Sequence, residues 1–405
     1  MVIIGKIFKW LALALVIFIV WLFMRNTIAN YLVTWTLQYE GMTMQKNEWR
    51  EFDLDSVTGE TPASLFGGLQ KGQSILKYSF KLMYPFDGKV GFIGGSDRDQ
   101  IIEDAKNEPL ATSEKNEQAY IFRTIDDGQT FTRQTLGHGI VKRIKKIDNS
   151  YFINIKEEDT KISKTFRSDD LGESWKFIGN FYIDALFEPN RFIYVTTTKV
   201  GKELIFKEFY TKDGGKTSQP LDEKILDYEK KSLTNGLQIY KGHLVFLIDE
   251  TLIFVNIDTL EEKRTSLKRP PYQLLKQLIV DKESGELLIY VKDMNAKKKQ
   301  YDKMVQSSVW YPLANELVKF DKDIPHTLLL RARGNYIGGL LRYRGLLTHM
   351  WTMNKGKTWQ FEMLPHYFWD SAFTGYGNGR IYMKALVQGK EGVEKGSYLI
   401  MGKIK

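Results

Sequence analysis

Four octapeptides along this 405-residue chain share the pattern Ser/Thr-x-Asp/Asn-x-Gly-x-Ser/Thr-aromatic. They are Thr124-Ile-Asp126-Asp-Gly128-Gln-Thr130-Phe131, Ser168-Asp-Asp170-Leu-Gly172-Glu-Ser174-Trp175, Thr211-Lys-Asp213-Gly-Gly215-Lys-Thr217-Ser218 and Thr352-Met-Asn354-Lys-Gly356-Lys-Thr358-Trp359. The third lacks the aromatic and the fourth carries Asn for Asp. The first three start 44 and 43 residues apart, and the fourth follows after 141, three steps of 47. A period in the forties is that of a propeller blade or a comparable repeat unit. Two further units without the octapeptide are therefore expected between Thr211 and Thr352, over 236–269 and 272–320.

The pattern has a physical logic. Gly supplies the positive φ of a tight hairpin turn, the Asp or Asn and the hydroxyls satisfy turn amides, and the aromatic returns to the core as the next strand begins. The stretches 118–123 and 204–210 alternate apolar and polar ahead of two of the turns, as half-buried strands do. A 13% aromatic content suits pleated surfaces in the same way.

The octapeptides resemble the Asp-box (BNR) repeat of bacterial sialidases, sortilin-type receptors, a photosystem assembly factor and several envelope binding proteins. The resemblance covers roughly residues 75–405. It implies an all-β propeller with each box at the outer rim between the third and fourth strands; counting units along the chain gives about seven blades, with six or eight as alternatives. The box residues are then structural and stand away from any axial site. Blades are expected over 78–136, 141–179, 183–221, 237–267, 272–320, 327–364 and 368–405, with a strand from 39–72 closing the ring alongside the last. Two long insertions, 95–117 and 292–312, interrupt the pattern, and loops of that length are usually functional or disordered.

Ahead of the repeats, Trp10 to Met24 runs without a polar residue. Counted from Ile7, the stretch approaches the roughly 20 residues that cross a bilayer. Lys6, Lys9 and the amino terminus outnumber Arg25 beyond it, which keeps the head inside and exports the rest. The expected plan is a cytoplasmic head (1–6), one transmembrane signal anchor (7–25), a linker (26–44) and the propeller (45–405). Cleavage after Thr27-Ile28-Ala29 is the competing reading, and it too delivers the domain to the periplasm.

With no cysteine, disulfides, thiolate metal sites and a Cys nucleophile are excluded. The net charge of +9 gathers at Lys142-Arg143-Lys145-Lys146, Arg264-Lys268-Arg269 and Lys297-Lys298-Lys299. Such patches attract acidic partners, and export makes nucleic acid an unsuitable one.

Catalytic patterns are missing. The triplets Gly215-Lys216-Thr217 and Gly356-Lys357-Thr358 lack the upstream Gly of a phosphate loop, where Tyr210 and Trp351 stand. The five histidines never form a metal-binding pair, and no Gly-x-Ser-x-Gly elbow occurs. The sialidase resemblance implies an Arg-Ile-Pro string and an arginine triad. Here the nearest string is Arg143-Ile144-Lys145, while Arg331, Arg333, Arg342 and Arg380 are scattered candidates. No catalytic, cofactor-binding or metal residue is therefore assigned.

The expected function is that of a non-catalytic, inner-membrane-anchored propeller that binds a protein in the periplasm. Its architecture is similar to that of immunity proteins neutralising a secreted toxin; an envelope assembly factor and a sialidase-like hydrolase are the alternatives. Loop contacts are expected first at Lys297, Lys298, Lys299, Tyr301 and Trp310.

Overall fold

The computed structural model describes residues 2–45, 49–53, 74–87, 89–102, 118–126, 130–157, 160–201, 203–233, 237–267, 273–281, 284–293, 304–314, 316–325, 330–364, 368–377, 380–387 and 396–403. Helix α1 (Val2–Tyr39) leads into β1 (Thr43–Met44) and β2 (Trp49–Asp53). The first large sheet holds β3 (Ser74–Asp87), β4 (Val90–Ile102), β5 (Gln118–Thr124) and β6 (Thr132–His138). The second holds β7 (Ile140–Ile147), β8 (Ser150–Lys156), β9 (Ser163–Ser168) and β10 (Lys176–Gly179). The third holds β11 (Tyr182–Glu188), β12 (Arg191–Val200), β13 (Glu203–Thr211) and β14 (Gln219–Pro220), followed by helix α2 (Glu223–Lys231).

The fourth sheet is β15 (Gln238–Tyr240), β16 (His243–Ile248), β17 (Thr251–Val255) and β18 (Glu262–Ser266). The fifth is β19 (Gln273–Asp281), β20 (Glu286–Asp293), β22 (Ser307–Tyr311) and β23 (Glu316–Lys319), while β21 (Met304–Val305) pairs with β24 (Ile324–Pro325) in a separate small ladder. The sixth is β25 (Arg331–Arg333), β26 (Tyr336–Tyr343), β27 (Leu346–Thr352) and β28 (Gln360–Met363), extended by β1. The last is β29 (Phe368–Gly377), β30 (Arg380–Val387) and β31 (Gly396–Lys403), completed by β2.

Each sheet is an antiparallel meander, and the inner strands of successive sheets touch in chain order until the last returns to β3. That ring is an all-β propeller. About seven blades are expected from the count of units; among the described residues six sheets have the four strands of a blade, and one further sheet has five. The odd sheet arises because β1 adds in parallel to β28, with Thr43 opposite Gln360 and Met44 opposite Phe361. The closing strand expected from 39–72 is β2, which pairs antiparallel with β31 from Trp49–Gly402 to Asp53–Tyr398.

Helix α1 differs from the expected anchor-plus-linker. It is one continuous helix of 38 residues, so most of 26–44 is helical. The reason is packing: Val33 and Leu37, one turn apart, are fully buried with Met42 among Tyr311, Phe320, Ile324, Trp359 and Phe361. Burying two such side chains contributes about 3–6 kcal/mol, enough to hold the last turns against the rim. The other face of α1 is exposed, from Trp10 through Val20 and Trp21 to Trp35 and Tyr39. Over the described residues alone, no helix is long and apolar enough to cross a membrane.

The four octapeptides occupy the third-to-fourth strand connections of their sheets: β5–β6, β9–β10, β13–β14 and β27–β28. In each, the leading hydroxyl is buried and donates to the carboxylate or amide oxygen two residues on: Thr124 to Asp126 at 2.7 Å, Ser168 to Asp170 at 2.7 Å, Thr211 to Asp213 at 2.9 Å and Thr352 to Asn354 at 2.9 Å. The Asp or Asn side chain in turn accepts from the backbone N–H of Thr130, Ser174, Thr217 and Thr358. The glycine N–H of Gly172, Gly215 and Gly356 donates to the leading hydroxyl at 2.8–3.0 Å. One polar side chain thus replaces several backbone partners in a turn that has none of its own.

Candidate binding surface

In the third sheet two strands outrun their neighbours, as β3 and β4 of the first sheet also do over 74–78 and 97–102. Strands β12 and β13 pair without interruption from Phe192–Thr211 to Val200–Glu203. Yet β11 follows β12 only as far as Val195, and β14 pairs β13 only at Phe209 and Tyr210. Residues 196–200 and 203–207 therefore form a two-stranded ribbon with no strand on either outer edge among the described residues. Three consecutive threonines, Thr196 to Thr198, stiffen one arm, and Gly201 turns with φ +62°.

Free strand edges offer unpaired N–H and C=O groups, and proteins normally blunt them with charge. This ribbon has Lys199, Glu203 and Lys207, but it also exposes Val200, Ile205 and Phe206, the last at 63%. In the pleat, Val200 and Ile205 share one face and Phe206 stands on the other, so both faces are apolar in part. Edge and side chains together are the chemistry of strand addition or hairpin docking to a protein.

At the ribbon's base, Tyr182, Val195 and Glu208 lie side by side across three strands. Burial first, and then the charges of Glu229 and Asp184, push the Glu208 carboxyl up to about 7. Its Oε2 is buried with no hydrogen-bond partner among the described residues. Burial likewise raises the neighbouring Glu229 on α2. The adjoining Asp184 is held by Arg143 at 3.0 Å, its carbonyl accepts from Lys145, and Arg143 also donates to the Tyr182 hydroxyl at 2.8 Å. Arg143 and Lys145 of the basic run of β7 thus bridge the second and third sheets.

Across the joint between the last and sixth sheets, Tyr376 of β29 and Tyr336, His349 and Trp351 of the sixth stack as a column, with centroids 4.4 Å apart at both ends. The Tyr336 hydroxyl meets His349 Nε2 at 3.1 Å, and burial lowers the imidazole to about 3. His243 Nδ1 faces the Lys241 carbonyl on the surface, while His326 and His366 lie outside the described residues. Among the described residues, no three His, Asp or Glu side chains gather as a metal site. Of the arginines that a sialidase resemblance singles out, Arg333 donates to the Tyr376 carbonyl at 2.8 Å and Arg143 is the bridge just described.

The expected loop contacts fare differently. Lys297, Lys298, Lys299 and Tyr301, with Gly128 of the first octapeptide, lie outside the described residues. Trp310 is not a rim contact: it is 2% exposed, inside β22, packed with Leu275, Leu278 and Ile289. The lysine-rich stretch 292–312 reads as an insertion, because Ser307-Ser-Val-Trp-Tyr311 is buried on both faces and has no alternation to mark it as a strand. The ribbon's own signal, a long alternating pair about Gly201, reads as an ordinary blade hairpin until the lengths of its neighbours are known. A groove of about 300 Å³ between the first two sheets, lined by Gln134, Phe166 and Trp175, is too shallow and open to enclose a ligand.

No family model matches the chain, and no curated protein matches it. Among solved structures, it is similar to YCF48 from Cyanidioschyzon merolae, at 10% identity and TM-score 0.40 over 88% of this chain and 98% of that one. It is also similar to an acylaminoacyl peptidase, at 10% and 0.49 over 80% of this chain and 51% of that one. A polysaccharide lyase, a PL25 ulvan lyase, follows at 14% and 0.31 over 89% and 91%. These neighbours include enzymes and non-enzymes, and such low similarity bears on the fold alone.

Proposed function

We propose that this chain is a membrane-anchored propeller that binds a protein partner in the bacterial envelope, with the β12–β13 ribbon as its principal contact. The observation that carries the binding is the ribbon itself, whose paired strands outrun both neighbours and expose Val200, Ile205 and Phe206. The anchor is supported by the apolar run from Trp10 to Met24 and by the outward exposure of its described side chains, an arrangement that water does not favour. The turn geometry supports reading the octapeptides as Asp-boxes, which makes them scaffold.

The partner best fitting a net charge of +9 is acidic, drawn in by electrostatic steering. A secreted toxin neutralised at the inner membrane is such a partner, and the chain would then act as an immunity protein. The test is purification of the full chain from membranes in mild detergent, side by side with Ile205→Ser and Phe206→Ser. Stoichiometric capture of a secreted toxin, lost in both variants, supports immunity, whereas capture of a resident membrane complex makes the chain an assembly factor. Equal capture by all three proteins removes the ribbon from the account.

A further inference from the structure

The outward face of α1 carries a regular seam. Ile17, Trp21, Met24, Ile28, Tyr31 and Trp35 follow one another at alternating spacings of four and three residues. That is a period of 3.5, and it keeps the six residues on one stripe of a slightly underwound helix. Val33 and Leu37, which dock α1 on the propeller, lie on the opposite side of the helix. All six seam residues are exposed, including Tyr31 at 69% and Trp35 at 56%.

Lipid alone cannot cover this stripe. Trp35 stands eleven residues beyond Met24, or about 16 Å along the axis, whereas the headgroup zone is only about 5–7 Å deep. An upright helix would leave Tyr31 and Trp35 in water, against the propeller on one side and nothing on the other. A helix with a matching 3.5-residue seam covers the whole stripe, inside and outside the bilayer.

We infer that α1 is a self-association helix whose seam packs against that of a second copy of this chain, in parallel and in register. This rests on the anchoring reading for its geometry. Copies inserted with one orientation present identical seams side by side, so residue i meets residue i about a two-fold axis. Each α1 sits at the rim of its propeller beside β1, with the seam turned away from the ring, so two rings stand side by side without competing for the helix.

The absence of cysteine makes the test clean. Single variants Ile28→Cys, Tyr31→Cys and Trp35→Cys on the seam, and Asn30→Cys and Thr34→Cys on the docking side, are oxidised in intact membranes. The expected result is a disulfide-linked dimer at the seam positions, at least about tenfold above the docking-side positions, because only facing residues come within disulfide reach. A thermal melt of each variant shows that the propeller is intact. No dimer at any position, equal dimer at all, or an adduct of another mass would each overturn the inference. Alkaline extraction of the same membranes reads anchoring separately. Release of the chain with the seam pattern retained would defeat the anchor and leave a parallel coiled coil standing.

Discussion

The ring of Phe320 stands edge-on to Trp359, with centroids 5.0 Å apart and planes at 67°, across the joint between the fifth and sixth sheets. Trp359 closes the fourth octapeptide, and its own glycine, Gly356, lies so close to Phe320 that a Cβ there would come within 2.1 Å of the ring. Gly172 stands in the same relation to Phe92, at 2.3 Å, beside the edge-to-face contact of Phe92 with Trp175. Each turn therefore latches its sheet to the preceding one. Gly215 has only ordinary contact with Phe181, at 3.5 Å, and its octapeptide ends in Ser218.

Alanine at the three glycines should accordingly rank in stability. All three have positive φ, which costs about 1 kcal/mol in any L-residue. Gly172→Ala and Gly356→Ala add overpacking against an aromatic ring, about 1–3 kcal/mol more, and Gly215→Ala does not. Denaturant midpoints compared at constant slope measure the ranking.

Trp359 is fully buried, so Trp359→Ala should cost about 3–5 kcal/mol, whereas the half-exposed Trp175 should cost clearly less on the same change. Leu37→Ala, in the docked turn of α1, is expected to cost about 2–5 kcal/mol locally and to expose the stretch between α1 and β2 to protease while the ring stays folded.

The acid limb of stability should belong in part to the octapeptides. The Thr217 hydroxyl and amide, donating to Asp213, lower its carboxyl to about 2, and Ser174 holds Asp170 lower still. A depressed folded pKa gives stability that is full above the unfolded value near about 4 and is lost as pH falls through the folded value. Asp213→Asn should flatten that loss while keeping the turn, since Asn354 accepts the corresponding Thr358 N–H in the fourth turn. Urea titrations below about pH 4 test it.

Glu208 should act in the opposite sense. Its folded pKa of about 7 lies above the unfolded value, so the native state holds the extra proton between the two. Stability should therefore decline as pH rises from about 4.5 to about 7 and level off beyond. Glu208→Gln should remove that decline, read as a melting-temperature difference that grows with pH over this window.

The sequence made the local devices legible and hid the tertiary ones. The octapeptides could be read because each closes on itself within seven residues, and the closing strand because a ring needs one. Helix α1 past Arg25 was hidden, because Arg25-Asn26-Thr27 ends the apolar run while the reason to continue lies in Tyr311, Phe320 and Phe361, hundreds of residues away. Helix α2 did leave a local mark, Asp222 capping the Lys224 N–H at 2.9 Å ahead of Glu223, with Lys230 and Lys231 in its last turn. The β12–β13 ribbon could not be told from a blade hairpin, since it stands out only by contrast with the shorter β11 and β14.

Site-specific photo-crosslinking from the ribbon tests the central claim most directly. A photoreactive residue is placed at 200, 205 or 206, and, as controls, at the equally exposed Ile125 and Leu260 of other sheets. Irradiation of living cells should yield one discrete protein adduct from the three ribbon positions and none from the controls. No adduct from the ribbon, or the same adduct from 125 and 260, would contradict a protein-binding role for this surface.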